Sequence, residues 1–540
     1  MGFYKTVQET LKPCREFVED IFFGEEKFFT LNGIIFHVAL ILTSFVFVYL
    51  FSYSTSFGYH LFGCDSVLFQ AVGKFWAQGY LPYVELFEHK GPLLFLIEAI
   101  GYAIYPRAGL MVLQIIFLYL SCLLAWRTME LYSSNALHKI FFLMVMLIFY
   151  AAHYEEGNHV EEYSVLFLSA STYCFLRSLK ENIFSSLYGF IYGLGFGACF
   201  LIRLSDAAQI CCQIFLTAIF LIQAHDFKGL LKNFLNFCAG FAVIVLPFVI
   251  YFAAHGALYE MFYGTILFNL KYTGATFHQS FIIQAIYDVF HFLPLVIMII
   301  VGVVALKENP TNRLFHSAIF IGAMMTIMLI NLRPYMHYAL IIFPVMPILF
   351  AVLHENSNAL QKIWHSRRFS INRFFVKVLI IFAVIQIYTS TFYLKALCLN
   401  EENAASIMFF MAHNKRAELF HSSEQQNVLR LQKIIPENER KSFVCWGTVN
   451  TTSQWIFQTD MKPRERFFMN NSHHFYIDPR IRKEWFDNVR KNYPLWILCG
   501  TVDDKFSEDA ELEQLLTEKY SFKGEVYIFP QMMKLYRLKD

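Results

Sequence analysis

The sequence predicts an α-helical polytopic membrane protein, and three observations carry that expectation. Hydrophobic residues fill 56% of the 540 positions and aromatic residues 18%. Charged residues fill only 16%, against roughly 25% in a soluble domain. The apolar residues collect into long runs broken by short polar segments, the pattern of repeated bilayer spans. A formal net charge of +2 and no basic tract of the usual kind point away from nucleic acid. The 11 cysteines are scattered, several inside apolar runs (Cys122, Cys174, Cys199, Cys211, Cys212), and read as small core residues rather than a disulfide framework or a metal cluster.

Taken in order, Met1 to Thr30 is mixed in charge and amphipathic, and residues 1–33 read as a cytoplasmic segment rather than a cleavable signal. With about 20 apolar residues per span as the guide, eleven spans follow. They are Ile34 to Phe57, Gly109 to Trp126, Ile140 to Ala152, Tyr163 to Leu176, Leu187 to Ile202, Ile210 to Gln223, Phe237 to Phe252, Val289 to Leu306, Ser317 to Leu332, Ala339 to Leu353 and Val378 to Leu394. Leu93 to Tyr105 is too short to span and carries Glu98, so it reads as an interfacial helix. Asp65 to Gln78 has a helical pattern that would lie on the membrane, and Gly256 to Ser280 reads as a long polar loop.

Charge orients this chain. Arg127, Arg177 with Lys180, Lys228 with Lys232, Lys307, and Arg367 with Arg368 fall after even-numbered spans, which places the N-terminus in the cytoplasm. The loop between spans ten and eleven is the most basic, with Lys362, Arg373 and Lys377 beside that last pair. Counting Leu93 to Tyr105 as a span would invert every later loop. The same orientation sends to the outer face the loop from Asp65 to Lys90, the acidic loop Glu155 to Glu162, Arg203, Arg333 and His337. From about Cys398 the composition changes: Phe443 to Gly447 and Leu495 to Gly500 are short apolar runs ending in glycine, Pro479 to Lys491 is an amphipathic helix, and Tyr527 to Phe529 and Leu535 to Arg537 read as closing strands. Residues 398–540 thus read as a small extracytoplasmic α/β domain, after a membrane domain over 34–397 whose first outer loop covers 58–107. Cys445 and Cys499 end neighbouring strands, and a disulfide between them is left open.

Ionisable residues near a bilayer are costly and mark functional sites. Asp65 opens a helix, where the dipole favours its anion, the form a general base needs. Lys90 precedes Gly91 and Pro92, which restrict the chain and start the next helix; the alternative is a lysine that snorkels to lipid phosphates. The acidic loop (Glu155, Glu156, His159, Glu161, Glu162) is open to three readings: a solvated turn, an acceptor or second acid/base site, or a divalent-metal site. His159 and Glu162 share a helical face, a spacing too common to specify a metal, and Glu161 and Glu162 are the stronger catalytic candidates. Arg203 is read either as a cap on helix carbonyls or as a phosphate ligand, and His337 as a core histidine or a ligand.

The run Gly63-Cys64-Asp65-Ser66, an amphipathic helix, Gly79-Tyr80-Leu81-Pro82-Tyr83 and Phe87-Glu88-His89-Lys90-Gly91-Pro92-Leu93 resembles the first outer loop of the GT-C superfamily of membrane glycosyltransferases. The branch is the one containing protein O-mannosyltransferases and the aminoarabinose transferase of lipid A. Arg333-Pro334-Tyr335-Met336-His337-Tyr338 resembles a late motif of bacterial members. The resemblance implies an integral protein of a bacterial inner membrane that takes a sugar from a polyprenyl-phosphate carrier and passes it, with inversion, to an extracytoplasmic glycan, lipid or protein. It implies Asp65 as the catalytic carboxylate and Lys90 as a phosphate ligand; Arg203 and Arg333 are read as further cations for the departing phosphate, and Tyr83, His89, His159 and His337 as substrate contacts. Ser66 stands where many relatives carry a second acid, which bears on metal use; no cofactor is certain. The chemistry agrees, since displacing a polyprenyl phosphate needs a base on the incoming hydroxyl and cations on the departing phosphate. A transporter or flippase would instead place charges near the midplane and show inverted repeats, and a scaffold displaying its C-terminal domain would leave Asp65 and Lys90 without a task.

Overall fold

A computed structural model of the chain describes residues 2–24, 30–57, 65–275, 291–331, 335–356, 431–447, 456–457, 462–468, 471–501, 509–528 and 531–540. Span eleven, the basic loop before it, and Arg333 lie outside them. The chain begins with α1 (Gly2–Phe23), α2 (Leu31–Phe51), α3 (Asp65–Ala77), α4 (Pro92–Ile104), α5 (Ala108–Glu130), α6 (Ala136–Ala152), α7 (Val160–Glu181) and α8 (Ser186–Ile202). Next come α9 (Ala208–Gln223), α10 (Phe227–Ala254), α11 (Leu258–Phe262), α12 (Phe268–Ala275), α13 (Leu293–Glu308), α14 (Arg313–Asn331) and α15 (Met346–Glu355). Among the described residues, six helical stretches are long and apolar enough to cross a membrane. The protein is an integral membrane protein.

Local chemistry sets the ends of these elements. Thr30 caps α2 by accepting Gly33 N–H at 3.1 Å. The chain leaves α2 at Phe51, before the expected Phe57, because Ser52 and Thr55 turn inward to meet Gln114 of α5, with Ser52 Oγ 3.2 Å from Gln114 Oε1. Pro92 opens α4, where its missing N–H costs nothing. α8 and α10 touch backbone to backbone: a Cβ at Gly193 would stand 2.1 Å from Phe237 O, and one at Gly240 2.1 Å from Phe190 O. Such small-residue contact is how membrane helices gain packing without a hydrophobic drive.

Three expectations need correction. α3 does not lie on a surface: every residue from Ser66 to Phe75 is buried, because α4 covers one side and the C-terminal region another. The stretch from Gly256 to Ser280 is not a plain loop, since α11, a π-helical turn (Tyr263–Leu267) and α12 occupy most of it. Span ten opens as a 3-10 helix (Met336–Val345) before becoming α15. The disulfide left open between Cys445 and Cys499 is not formed.

The C-terminal elements are α16 (Asn471–Ile477), α17 (Pro479–Lys491), α18 (Ala510–Lys519) and strands β1 (Phe443–Trp446), β2 (Trp496–Thr501), β3 (Tyr520–Ile528) and β4 (Gln531–Leu538). The sheet order is β1-β2-β4-β3, with β1 and β2 parallel and β4 antiparallel to both neighbours. In the β1–β2 register Cys445 faces Leu498 and Trp446 faces Cys499. The two cysteines are thus one step out of phase, and strand alternation sends them to opposite faces. One face, with Phe443, Cys445 and Leu498, packs into the core of Leu68, Phe69 and Phe95 from α3 and α4. The other, with Val444, Trp446 and Cys499, packs on Trp485 and Phe486 of α17.

Candidate active site

The segment between α3 and α4 is built as a clamp around Lys90. Tyr83 is fully buried and held at a φ of 69°, and its hydroxyl donates to Lys90 O at 2.7 Å. Gly91 N–H donates to Ile202 O at 3.0 Å, and a Cβ at Gly91 would stand 2.0 Å from Leu201 O. Only glycine lets this segment lie against the last turn of α8. The backbone that carries Lys90 is thereby held against the end of α8, which Arg203 caps.

Lys90 Nζ lies 3.0 Å from His89 Nε2 and 3.7 Å from Glu88 Oε1. His89 Nδ1 lies 3.1 Å from the same carboxylate oxygen, and its ring stacks on Tyr272 of α12 at 5.1 Å. Burial pushes the Glu88 carboxyl up to about 7, with Asp65 adding to the rise and Lys90 opposing it. Asp65 is half-buried as the first residue of α3, and its charge reaches both Glu88 and His337.

The C-terminal region holds this segment from the other side. Phe87 N–H donates to Arg466 O at 2.9 Å, Arg466 donates to Tyr83 O at 2.9 Å, and Lys462 pairs with Glu85 at 3.1 Å. Lys74 of α3 is buried and donates to the carbonyls of Ile456 and Phe457 at 3.2 and 2.8 Å. Asp478 bonds the Tyr263 hydroxyl at 2.6 Å and Lys271 at 2.5 Å.

Arg203 is already paired. Its guanidinium meets Glu161 at 2.5 Å and Asp206 at 2.6 Å, and lies 4.1 Å over the Tyr338 ring. Both carboxylates are fully buried, and Ser164 also donates to Asp206 at 2.7 Å. Glu162 has a different task. It accepts His159 N–H at 2.7 Å, closing the first turn of α7, while its other oxygen bonds Tyr154 and Gln114 at 2.5 and 2.8 Å.

His159 and His337 come together with their rings parallel at 4.1 Å, and His337 Nδ1 lies 3.0 Å from Glu155 Oε2. Polar side-chain atoms of Glu155, His159 and His337 lie within 4.8 Å of one another. Burial disfavours charge on His159, but Glu156, Glu155 and Glu161 outweigh it and push its pKa up to about 10. Sequence reasoning gave Glu155 no role beyond membership of the acidic loop, and passed over Glu88 and Asp206 as site residues. Glu88 and Asp206 stood beside chosen residues, whereas nothing in the spacing ties Glu155 to His337.

No protein-family model and no curated protein matches the chain. Among solved structures, the crystal structure of ArnT from Cupriavidus metallidurans bound to undecaprenyl phosphate matches with a TM-score of 0.53 at 13% identity, covering 94% of this chain and 98% of that one. The chain has the GT-C fold. An oligosaccharyltransferase of Archaeoglobus fulgidus in its apo form matches at a TM-score of 0.45 and 12% identity, over 86% of this chain and 69% of that one. Within this GT-C fold, Asp65, Glu88, His89, Lys90 and Arg203 belong to one neighbourhood, adjoined by the Glu155, His159 and His337 group.

Proposed function

We propose that this chain is a membrane glycosyltransferase that moves a sugar from a polyprenyl-phosphate donor to an extracytoplasmic acceptor, with inversion at the anomeric carbon. The observation that carries this reading is the pinning of Lys90 against the end of α8, in a fold shared with a protein crystallised with undecaprenyl phosphate. In this reading the N-terminus is cytoplasmic, and the membrane domain (34–397) presents its site and the 398–540 domain to the opposite side.

Lys90 is the donor-phosphate ligand. The carboxylate beside it, Glu88 at 3.7 Å, is held near neutrality by burial, so the ammonium keeps charge to give to a phosphate. Arg203 faces two carboxylates with one positive charge. It fixes the α8 end rather than serving as a spare cation. Asp65 takes the proton of the acceptor hydroxyl as that oxygen attacks the anomeric carbon. The bond from this carbon to the phosphate oxygen breaks, and its electron pair leaves on the phosphate, where Lys90 stabilises it.

The test uses membranes supplied with polyprenyl-phosphate sugars. Asp65→Asn should lower transfer by at least about 100-fold while leaving undecaprenyl phosphate binding close to wild type. Transfer at the wild-type rate would remove Asp65 from the role of base.

A further inference from the structure

We propose that Arg466 is a positioning residue for the donor phosphate, acting from the C-terminal region on Lys90 through Tyr83. This role presupposes that Lys90 is the phosphate ligand and adds what holds that ligand in place.

The contacts start on α17, where Glu484 and Asn488 stand one turn apart and share a face. Glu484 meets the Arg466 guanidinium side-on, with Oε1 2.7 Å from Nε and Oε2 2.8 Å from Nη2. Asn488 donates to Glu465 Oε2 at 2.8 Å, and Glu465 Oε1 accepts Arg466 N–H at 3.0 Å. α17 therefore fixes both the backbone and the side chain of Arg466. A guanidinium is a rigid planar fork, so a carboxylate on one edge aims the remaining Nη1. That nitrogen donates to Tyr83 O at 2.9 Å.

Tyr83 is where this aim has an effect. Its φ of 69° is costly for a bulky side chain and persists only where the surroundings over-determine it. Each of its polar groups is engaged: N–H donates to Leu86 O at 2.7 Å, the carbonyl accepts from Arg466, and the hydroxyl donates to Lys90 O at 2.7 Å. Its ring is closed in by the π-helical turn, where a Cβ at Gly264 would stand 2.7 Å from Tyr83 Cδ1. Arg466 also accepts Phe87 N–H on its own carbonyl at 2.9 Å, so one residue grips both ends of the turn from Tyr83 to Phe87. Without the guanidinium, the Tyr83 carbonyl loses its charged donor and the strained φ can relax. The hydroxyl then shifts, and the Lys90 backbone shifts with it. A mere tie between regions would change stability alone. A relay through Tyr83 makes the effect on donor binding disappear once the Tyr83 hydroxyl is gone.

The test is a double-mutant cycle on the full chain in nanodiscs, reading the Kd for undecaprenyl phosphate normalised to the folded fraction. Arg466→Met and Tyr83→Phe should each raise Kd about tenfold, and the double variant should exceed Tyr83→Phe by less than about twofold. Arg482→Met is the control: it breaks the 2.9 Å pair between α17 and Asp509 and should leave Kd at the wild-type value. Arg466→Lys covers the case in which Arg466→Met does not fold, since an ammonium cannot reproduce the side-on pair with Glu484 while donating to Tyr83 O, and its Kd should also rise. Wild-type Kd in the Arg466 variants, full additivity in the double variant, or an equal loss in Arg482→Met would overturn the relay and leave Lys90 as the phosphate ligand. A wild-type protein that binds no undecaprenyl phosphate would overturn the Lys90 reading itself, and the relay with it.

Discussion

Gly91→Ala is the sharpest perturbation of the clamp on Lys90. The new methyl would stand 2.0 Å from Leu201 O and 2.2 Å from Leu201 C. Both are backbone atoms of a helix end, so no rotamer change relieves them. Reaching an ordinary contact of 3.4 Å requires the segment to retreat by about 1.4 Å. That retreat breaks the 3.0 Å bond from Gly91 N–H to Ile202 O, at about 1 kcal/mol, and adds strain of roughly 1–3 kcal/mol. Lys90 moves with its neighbour, and a misplacement of about 1 Å can cost 10²-fold in function. The assay is undecaprenyl phosphate binding to the protein in nanodiscs, normalised to the folded fraction. The expected result is a Kd raised roughly ten- to hundredfold. Gly240→Ala is the control: its methyl would strike Phe190 O at 2.1 Å, in the α8–α10 crossing. It should cost similar stability and leave binding per folded molecule unchanged. Equal loss of binding in both variants, or wild-type binding by Gly91→Ala, would refute the reasoning.

Two further outcomes follow from the electrostatics. Glu88 is raised from 4.5 to about 7, so the folded state holds a proton that the unfolded chain has lost, and this group's contribution to stability falls as pH rises from about 4.5 to 7, by about 3 kcal/mol at most. Over the same rise the ionising carboxylate competes with phosphate for Lys90, so undecaprenyl phosphate binding should weaken through about pH 7; Glu88→Gln should flatten both profiles, and a wild-type profile in the variant would count against the assignment. Arg203→Met strands Glu161 and Asp206, both 0% exposed, at roughly 3–5 kcal/mol. Combining it with Glu161→Gln and Asp206→Asn should recover much of the loss in thermal unfolding, and a single variant as stable as wild type would show that the pairing has no structural weight.

Much of the helical frame was legible because apolar runs are local signals. α17 coincides with the expected Pro479 to Lys491, since a proline start, an aspartate cap and a regular apolar spacing all sit within one short stretch. β1 and β2 were marked by apolar runs ending in glycine. What the periodicity of α3 does not contain is its cover. Lys74 looks like the polar side of a surface helix, yet its ammonium is spent on carbonyls more than 380 positions away. The candidate site divides the same way. Lys90, Gly91 and Pro92 announced a fixed cation, because glycine and proline constrain the chain in place. The pairings of Arg203 with Glu161 and of His337 with Glu155 join elements far apart in sequence. Glu162 looked equivalent to Glu161, and only the turn at His159 assigns it to the helix end.

The central claim is that Lys90 holds the phosphate of a polyprenyl carrier at the end of α8. An experimental structure of the protein with undecaprenyl phosphate in nanodiscs tests it directly. The account predicts a phosphate oxygen about 2.7 to 2.9 Å from Lys90 Nζ, with the lipid chain leaving toward the bilayer. A well-defined phosphate elsewhere, with Lys90 still turned to Glu88 and His89, would contradict it.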